Sequence, residues 1–482
     1  MKRDNIKYVQ IVAFWIITLA MVPAAIGAEK YMVNWEEYQK QKTILDDPRP
    51  VLKTYWTKQL TPPEVYAKYS YDIPTMKANW AEAVGFKAPD VVGKIAPEIK
   101  PGKYTHQDKQ KYPGLKELMF PFFYENFFKP GAVPLGACVS EFEVVPTQQR
   151  YWPLPFSKAT SQNMGKAKQD AQGYFDADTY ISGMPFPRPS GSERIKAMQI
   201  VYNKIYTPLL WDASVGITDT QNYDRNFKNI YGGYGVSYSL QLSGRLKDAP
   251  TPFYDERAKK RNEFYLGAGT SMGSRDMYGS VSLSVAKIGI DPTDVYMYSG
   301  AIRRIRKMTG TDTQDTAAGQ NVIFDDAGGF RRVLSPTLFP YEYKILADRE
   351  YLVPWYTTDG KEYIQRSNLE IKNVRMERRP IYEIELIQQD TSYVYGKTLL
   401  YFDKETFFLY ASMNYDQKGR LFRGQMFYPF QDPEMGLIGG FMSTNWNFQT
   451  PQTGYMASGP PLPAPWLTRD DFSFSNIEKM GK

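Results

Sequence analysis

The stretch Val236-Ser237-Tyr238-Ser239-Leu240-Gln241-Leu242 carries an apolar side chain at every second position, with a short polar one between. Side chains of an extended strand leave alternately to opposite faces, so this spacing predicts a strand with one dry and one wet face. A helix would need apolar positions three and four apart. A strand buried on both faces of a parallel sheet would read as one apolar run, so the alternation also points to antiparallel pairing.

The same period recurs downstream. Val281, Leu283 and Val285 alternate with Ser282, Ser284 and Ala286, and Tyr382, Ile384 and Leu386 alternate with Glu383 and Glu385. A meander follows: Thr391 to Phe402, a turn at Asp403-Lys404-Glu405-Thr406, Phe407 to Tyr415, a turn at Asp416-Gln417-Lys418-Gly419, then Arg420 to Tyr428. Such turn residues, with Gly closing the second, suit tight hairpins. Roughly ten strand candidates lie between residues 195 and 450, which suits a large open sheet. The fold class expected is mainly β (α+β): a large curved antiparallel sheet, or incomplete β-barrel, with helices and an irregular N-terminal wrapping segment.

Residues 29–175 read as that segment. Helical stretches at Trp35 to Leu45, Pro63 to Tyr69 and Leu115 to Phe128 alternate with proline-rich connections such as Asp47-Pro48-Arg49-Pro50. The β-rich core is expected over 176–450, and the Pro- and Gly-rich residues 451–482 as a tail extended on the surface.

Residues 1–28 read as an export signal. Lys2, Arg3 and Lys7 precede an apolar run from Ile11 to Val22, and Ala25-Ile26-Gly27 or Ile26-Gly27-Ala28 offers a small-residue cleavage site. The run is shorter than the roughly 20 residues a spanning helix needs. Cleavage would leave a periplasmic protein, expected to be peripheral to the outer membrane. Leu135-Gly136-Ala137-Cys138 imitates a lipoprotein cleavage box but lies far behind the apolar run. Cys138 is the single cysteine, so there is no internal disulfide and no thiolate metal site.

Composition narrows the function further. The chain has 37 Tyr, 27 Phe and 9 Trp but one His and one Cys, so it is rich in contact surface and poor in catalytic groups. Losing Lys2, Arg3, Lys7 and Asp4 with the signal would lower the net charge from +7 to about +5, a mild excess without a dense basic block. No nucleic-acid partner, metal or cofactor is expected. His106 has no nucleophile motif beside it, and Gly232-Gly233-Tyr234-Gly235 and Gly267-Ala268-Gly269 do not complete a phosphate-loop spacing. Asp325-Asp326 and Glu383/Glu385 are carboxylate pairs by type, the first in a loop before Gly328-Gly329 and the second on a wet strand face. Arg303, Arg304 and Arg306 follow a strand expected from Val295 to Ile302. They are candidate contacts for a lipid headgroup or carboxylate, because guanidinium presents a fork matched to anionic oxygens.

A set of motifs in fixed order resembles the bacterial exported family called domain of unknown function 1329. It comprises Gly183-Met184-Pro185-Phe186-Pro187 with Gly191-Ser192-Glu193, the Arg303-Arg304-Ile305-Arg306 block, and Asp325-Asp326 ahead of Gly329-Phe330. It continues with Tyr351-Leu352-Val353-Pro354-Trp355-Tyr356, Glu377-Arg378-Arg379-Pro380 and Tyr401-Phe402-Asp403-Lys404-Glu405-Thr406. The family-motif positions are thus Pro185, Phe186, Pro187, Gly191, Glu193, Asp326, Pro354, Arg378 and Asp403. The resemblance spans residues 180–425, and the N-terminal segment departs from the family's commoner opening.

The resemblance implies a fold similar to the periplasmic carriers that ferry lipoproteins to the outer membrane, an incomplete antiparallel barrel with helices closing an apolar cavity. It also implies, as partners, an outer-membrane β-barrel protein and an inner-membrane efflux-type exporter. The function expected is a non-enzymatic carrier for a lipid-like or other hydrophobic molecule. The alternatives are a structural or assembly partner of an outer-membrane protein and a carboxylate-based periplasmic hydrolase.

Overall fold

A computed structural model describes residues 58, 61–131, 135–207, 211–271, 278–308, 310–316, 321–357, 362–365, 367–458 and 461–481. The export signal and the helix expected from Trp35 to Leu45 lie outside the described residues. Among the described residues, no helix is long and apolar enough to cross a membrane.

The first two strands, β1 (Gly102–Thr105) and β2 (Glu141–Val144), come from the N-terminal segment. One meander follows, made of β3 (Ala213–Asp224), β4 (Asn229–Gln241), β5 (Glu263–Ser271), β6 (Ser280–Lys287), β7 (Asp294–Ser299) and β8 (Arg304–Met308). After β9 (Tyr341–Pro354) and the small pair β10 (Tyr363–Gln365) and β11 (Glu370–Lys372), a second meander begins with β12 (Val374–Gln388) and β13 (Lys397–Asp403). It continues with β14 (Leu409–Tyr415), β15 (Leu421–Asp432), β16 (Leu437–Asn447) and β17 (Gln452–Ser458), and the short β18 (Leu462–Pro463) ends the series.

The two meanders lie side by side in one sheet because β17 pairs antiparallel with β3. The path runs from β1 through β2 and β12 to β17, then from β3 to β8, and its two ends do not meet. The pairing is antiparallel throughout that path apart from β2 with β12. The expected class is what is found: mostly β, with a large antiparallel sheet that stays open and a few helices.

The C-terminal boundary differs from the sequence reading. Residues 452–458, expected in a surface tail, form the central joint of the sheet, and Leu462–Pro463 also pairs with β3. The surrounding Pro and Gly obscured a seven-residue strand whose Gly454 is needed for contact, since a Cβ there would lie 2.3 Å from Asn222 Oδ1. Farther on, Leu467, Phe472 and Ile477 cover the apolar outer face of β4 to β6, packing on Val236, Tyr238, Leu240, Leu266 and Leu283.

The N-terminal segment covers the outer face of the other meander. Phe127 stacks on Trp446 and Phe120 leans on Tyr401, both with ring centroids 4.2 Å apart. Trp80, on the helix Ile73–Val84, donates its indole N–H to the Glu405 carbonyl at 2.8 Å. The helix expected from Leu115 to Phe128 is two short ones, Gly114–Leu118 and Pro121–Asn126. Pro121 forces the preceding Phe120 out of helical geometry, to ψ 131°.

Candidate functional site

The inner face of the sheet is a trough, and its curvature is visible in what one loop touches. Residues 322–333 lie in the trough, and neighbouring side chains of this loop reach opposite walls. Arg331 donates to the Ser284 hydroxyl on β6, while Arg332 donates to Thr398 Oγ1 on β13 and Asn414 Oδ1 on β14, both at 3.1 Å. The sheet path separates β6 from β13 by seven intervening strands, so the sheet must bend around the loop.

The loop is held by a buried polar cluster. Asp326 and Arg332 are buried and paired at 3.3 Å. The Asp326 carboxylate also accepts from the Tyr395 hydroxyl at 2.5 Å, its carbonyl accepts from Gln425 Nε2 at 2.7 Å, and Arg332 Nη1 donates to the Tyr341 hydroxyl at 3.0 Å. Asp325 accepts from the Tyr393 hydroxyl at 2.7 Å, yet burial pushes its carboxyl up to about 6. Tyr393 and Tyr395 precede β13, which begins at Lys397 and not at Thr391 as the alternation suggested. Gly329, with φ +87°, seats the loop on the oily wall, where a Cβ would lie 2.6 Å from Leu409 and 2.8 Å from Phe427.

Space remains on every side of this loop. A cavity of about 480 Å³ lies between it and β7, β8, Phe339 and Tyr393. Another of about 330 Å³ is walled by Phe407, Phe408, Leu409, Phe427, Phe430 and Ile438. One of about 370 Å³ runs along Ser237, Ser239, Gly267, Gly269, Ser282 and Ser284, and one of about 290 Å³ sits over Thr218, Gly235, Ser443 and Met456. Gly328 borders the last three, so they share the loop as a common partition.

The walls differ in character. The second meander presents phenylalanines and aliphatic groups, whereas β4 to β6 present serine and glycine. The alternation in Val236 to Leu242 is therefore real, but its dry face points outward and its polar face lines the trough. Only part of the concave side is oily.

The sequence-derived residues are dispersed over the molecule. The strand expected from Val295 to Ile302 stops at Ser299, and the chain turns through Arg303, at φ +53°. Arg304 and Arg306 then lie on the exposed edge strand β8, where Arg306 meets Asp312 at 2.7 Å. Pro185, Phe186 and Pro187 form a turn against the helix Glu193–Tyr206, with the Phe186 amide donating to Asn203 Oδ1 at 2.9 Å. Gly191, at φ +100°, leads into that helix, and Glu193 accepts from the Ile345 amide of β9 at 2.9 Å.

Pro354 closes β9 opposite Met376. Arg378 pairs with Glu350 at 3.4 Å and clamps the carbonyls of Ala96 and Ile99 at 2.7 and 2.6 Å. Asp403 is buried against Arg379. Of these family-motif positions, Asp326 alone lines the cavities. Glu383, proposed as half of a carboxylate pair, accepts from the hydroxyls of Tyr351 and Tyr401 at 3.0 and 2.9 Å.

Two cations at the trough escaped the sequence reading, Lys204 and Arg331. Lys204 sits in the last turn of its helix, where a basic residue usually only complements the helix dipole, so its sequence context gave no signal.

The family model for a protein of unknown function, DUF1329, matches residues 137–459, more than half of the chain. The chain belongs to the DUF1329 family. Among solved structures, it is similar to an outer membrane lipoprotein-sorting protein domain from Vibrio parahaemolyticus (15% identity, 59% of this chain and 98% of that one, TM-score 0.42). It is similar as well to a DUF1329 family protein from Desulfovibrio piger (13% identity, 55% and 92% covered, TM-score 0.39). A third similar structure is a LolA superfamily protein from Nitrosomonas europaea (13% identity, 58% and 98% covered, TM-score 0.35). No curated protein sequence matches this DUF1329 member.

Proposed function

We propose that this protein is a periplasmic carrier that shelters an elongated hydrophobic molecule in the trough of its open sheet. The observation that supports it is the group of adjoining cavities along the concave face, one of them walled by Phe407, Phe408, Leu409, Phe427, Phe430 and Ile438. Each methylene kept from water is worth about 0.8 kcal/mol, so an acyl chain needs such a shelter to cross an aqueous compartment. The periplasmic setting is supported by the signal-like residues 1–28, and an adaptor role between an inner-membrane exporter and the outer membrane by the family resemblance. An assembly partner would fill its trough with its own side chains, whereas loop 322–333 fills only the middle and leaves room on every side.

The test uses the exported protein lacking residues 1–28 and a neutral naphthylamine dye that fluoresces in apolar surroundings. Saturable fluorescence, displaced by lipid extracted from the producing cells, is the result expected. No saturable binding, together with native mass spectra free of any copurified lipid, would overturn the reading.

A further inference from the structure

Lys204 and Arg331 face the same part of the trough from different elements, one from the end of helix Glu193–Tyr206 and the other from loop 322–333. Lys204 borders both the oily cavity and the serine-lined one, at the seam between the two walls. Its ammonium donates to the Phe330 carbonyl at 2.8 Å, and a Cβ on Gly328 would stand 3.9 Å away. Arg331 borders three of the cavities and donates to the Ser284 hydroxyl.

No carboxylate among the described residues pairs with either cation. Burial, with the like charge of Arg331 adding to it, pushes the Lys204 amine down to about 8. By contrast, the buried Arg332 pairs with Asp326, Arg378 with Glu350, and Arg379 with Asp403 and Glu405, while buried Arg245 is satisfied by the carbonyls of Pro250, Gln241 and Asp248. Close by, Ser443 borders two cavities, and its buried hydroxyl has no hydrogen-bond partner in the protein. Two cations held together without an anion, beside an unused hydroxyl, leave a charge and hydrogen-bonding deficit that a ligand would fill.

We propose that Lys204 and Arg331 clamp the acidic head, carboxylate or phosphate, of an anionic amphiphile whose tail lies on the Phe407–Phe430 wall. This rests on the trough being the ligand site. The two walls then have separate tasks, the serine and glycine side accommodating the hydrated head and the phenylalanine side the chain. An amphiphile with a neutral head would leave both cations unmatched.

The test is competition against the neutral dye, with palmitate, hexadecyl phosphate and 1-hexadecanol as competitors and acetate as the control for a bare anion. The acids are expected to displace the dye at concentrations about tenfold lower than the alcohol, with acetate inactive, as charge-assisted hydrogen bonds imply. Lys204→Gln and Arg331→Gln should each bring the acid-to-alcohol ratio towards unity, and Lys204→Arg, which keeps the charge, should retain it. Circular-dichroism melting of each variant identifies any that fails to fold, and the Lys204→Arg and Arg331→Gln pair then carries the comparison. Equal displacement by acid and alcohol in the parent protein, or a ratio unmoved in both Gln variants, overturns the clamp while the trough survives. Absence of dye binding removes trough and clamp together.

Discussion

The Asp403 carboxylate accepts from Arg379 Nε at 2.7 Å and from Nη2 at 3.0 Å, with both side chains wholly buried. Glu405 joins the same guanidinium at 2.8 Å, and Glu377 lies 3.8 Å from it while pairing with Arg150 at 3.1 Å. Trp80 and Arg150, both from the N-terminal segment, bond to Glu405, so this cluster rivets the wrapping segment to the sheet. Arg379→Met would leave the Asp403 and Glu405 carboxylates without their cation and is expected to cost about 3–5 kcal/mol, because an unpaired buried charge is expensive. Urea unfolding measures it, and a loss below about 1 kcal/mol would show the cluster to be incidental.

The loop cluster predicts a pH dependence. The folded-state Asp325 carboxyl is raised to about 6 from an ordinary 3.8, so the folded protein holds that proton more tightly than the unfolded chain. Its contribution to stability is fullest below about pH 4 and is lost as pH rises through 6, a change on the order of 2–3 kcal/mol. Asp325→Asn should therefore gain on the parent protein between pH 4 and 7 in urea midpoints. Parallel pH profiles for the two proteins would contradict this.

Gly439, on β16, borders the oily cavity, and a Cβ there would meet nothing within 4 Å. Gly439→Trp is expected to fill that space, to weaken dye binding by about tenfold or more, and to leave the melting temperature within a few degrees of the parent. Unaltered dye affinity would place the ligand elsewhere.

At Gly329 the outcome should be the reverse. Its φ of +87° and its contacts at 2.6 and 2.8 Å with Leu409 and Phe427 leave no room for a side chain. Gly329→Ala is expected to lift loop 322–333 off the oily wall at a cost of about 1–3 kcal/mol. Faster amide exchange in the loop, measured by mass spectrometry, is the readout, and unaltered protection would refute the seating.

Lys204→Met exchanges an ammonium without a counter-ion for an apolar chain of similar length. The ligand-free protein should melt no lower than the parent, since the loss of one hydrogen bond to the Phe330 carbonyl, about 1 kcal/mol, is offset by removing the charge. A clear drop in differential scanning calorimetry would assign Lys204 a structural task.

The sheet was legible because Ser, Thr and Gly alternate with Val, Leu and Tyr along β4 and β6, and because the turns at Asp403–Thr406 and Asp416–Gly419 carry their own signals. Period two reveals that a strand has two unlike faces, but not which face the curvature turns inward. For that reason the serine face, read as wet, proved to line the trough, while its apolar counterpart packs under the C-terminal residues. Strand β17 was hidden because its neighbours are Pro- and Gly-rich. Lys204 and Arg331 could not be paired from sequence, since one closes a helix and the other lies in an irregular loop, and only the fold brings them to the same cavity.

The joint between β17 and β3 has a consequence for the order of assembly. Gln452 must find Asp224 across the whole intervening chain, and such distant pairings form slowly because loop closure comes first. Each meander is built from local hairpins and is able to form early, but alone it is a half-sheet with one open flank. A polypeptide ending near residue 450 would have both halves and no continuous trough, which has to wait until β17 has zipped the two together.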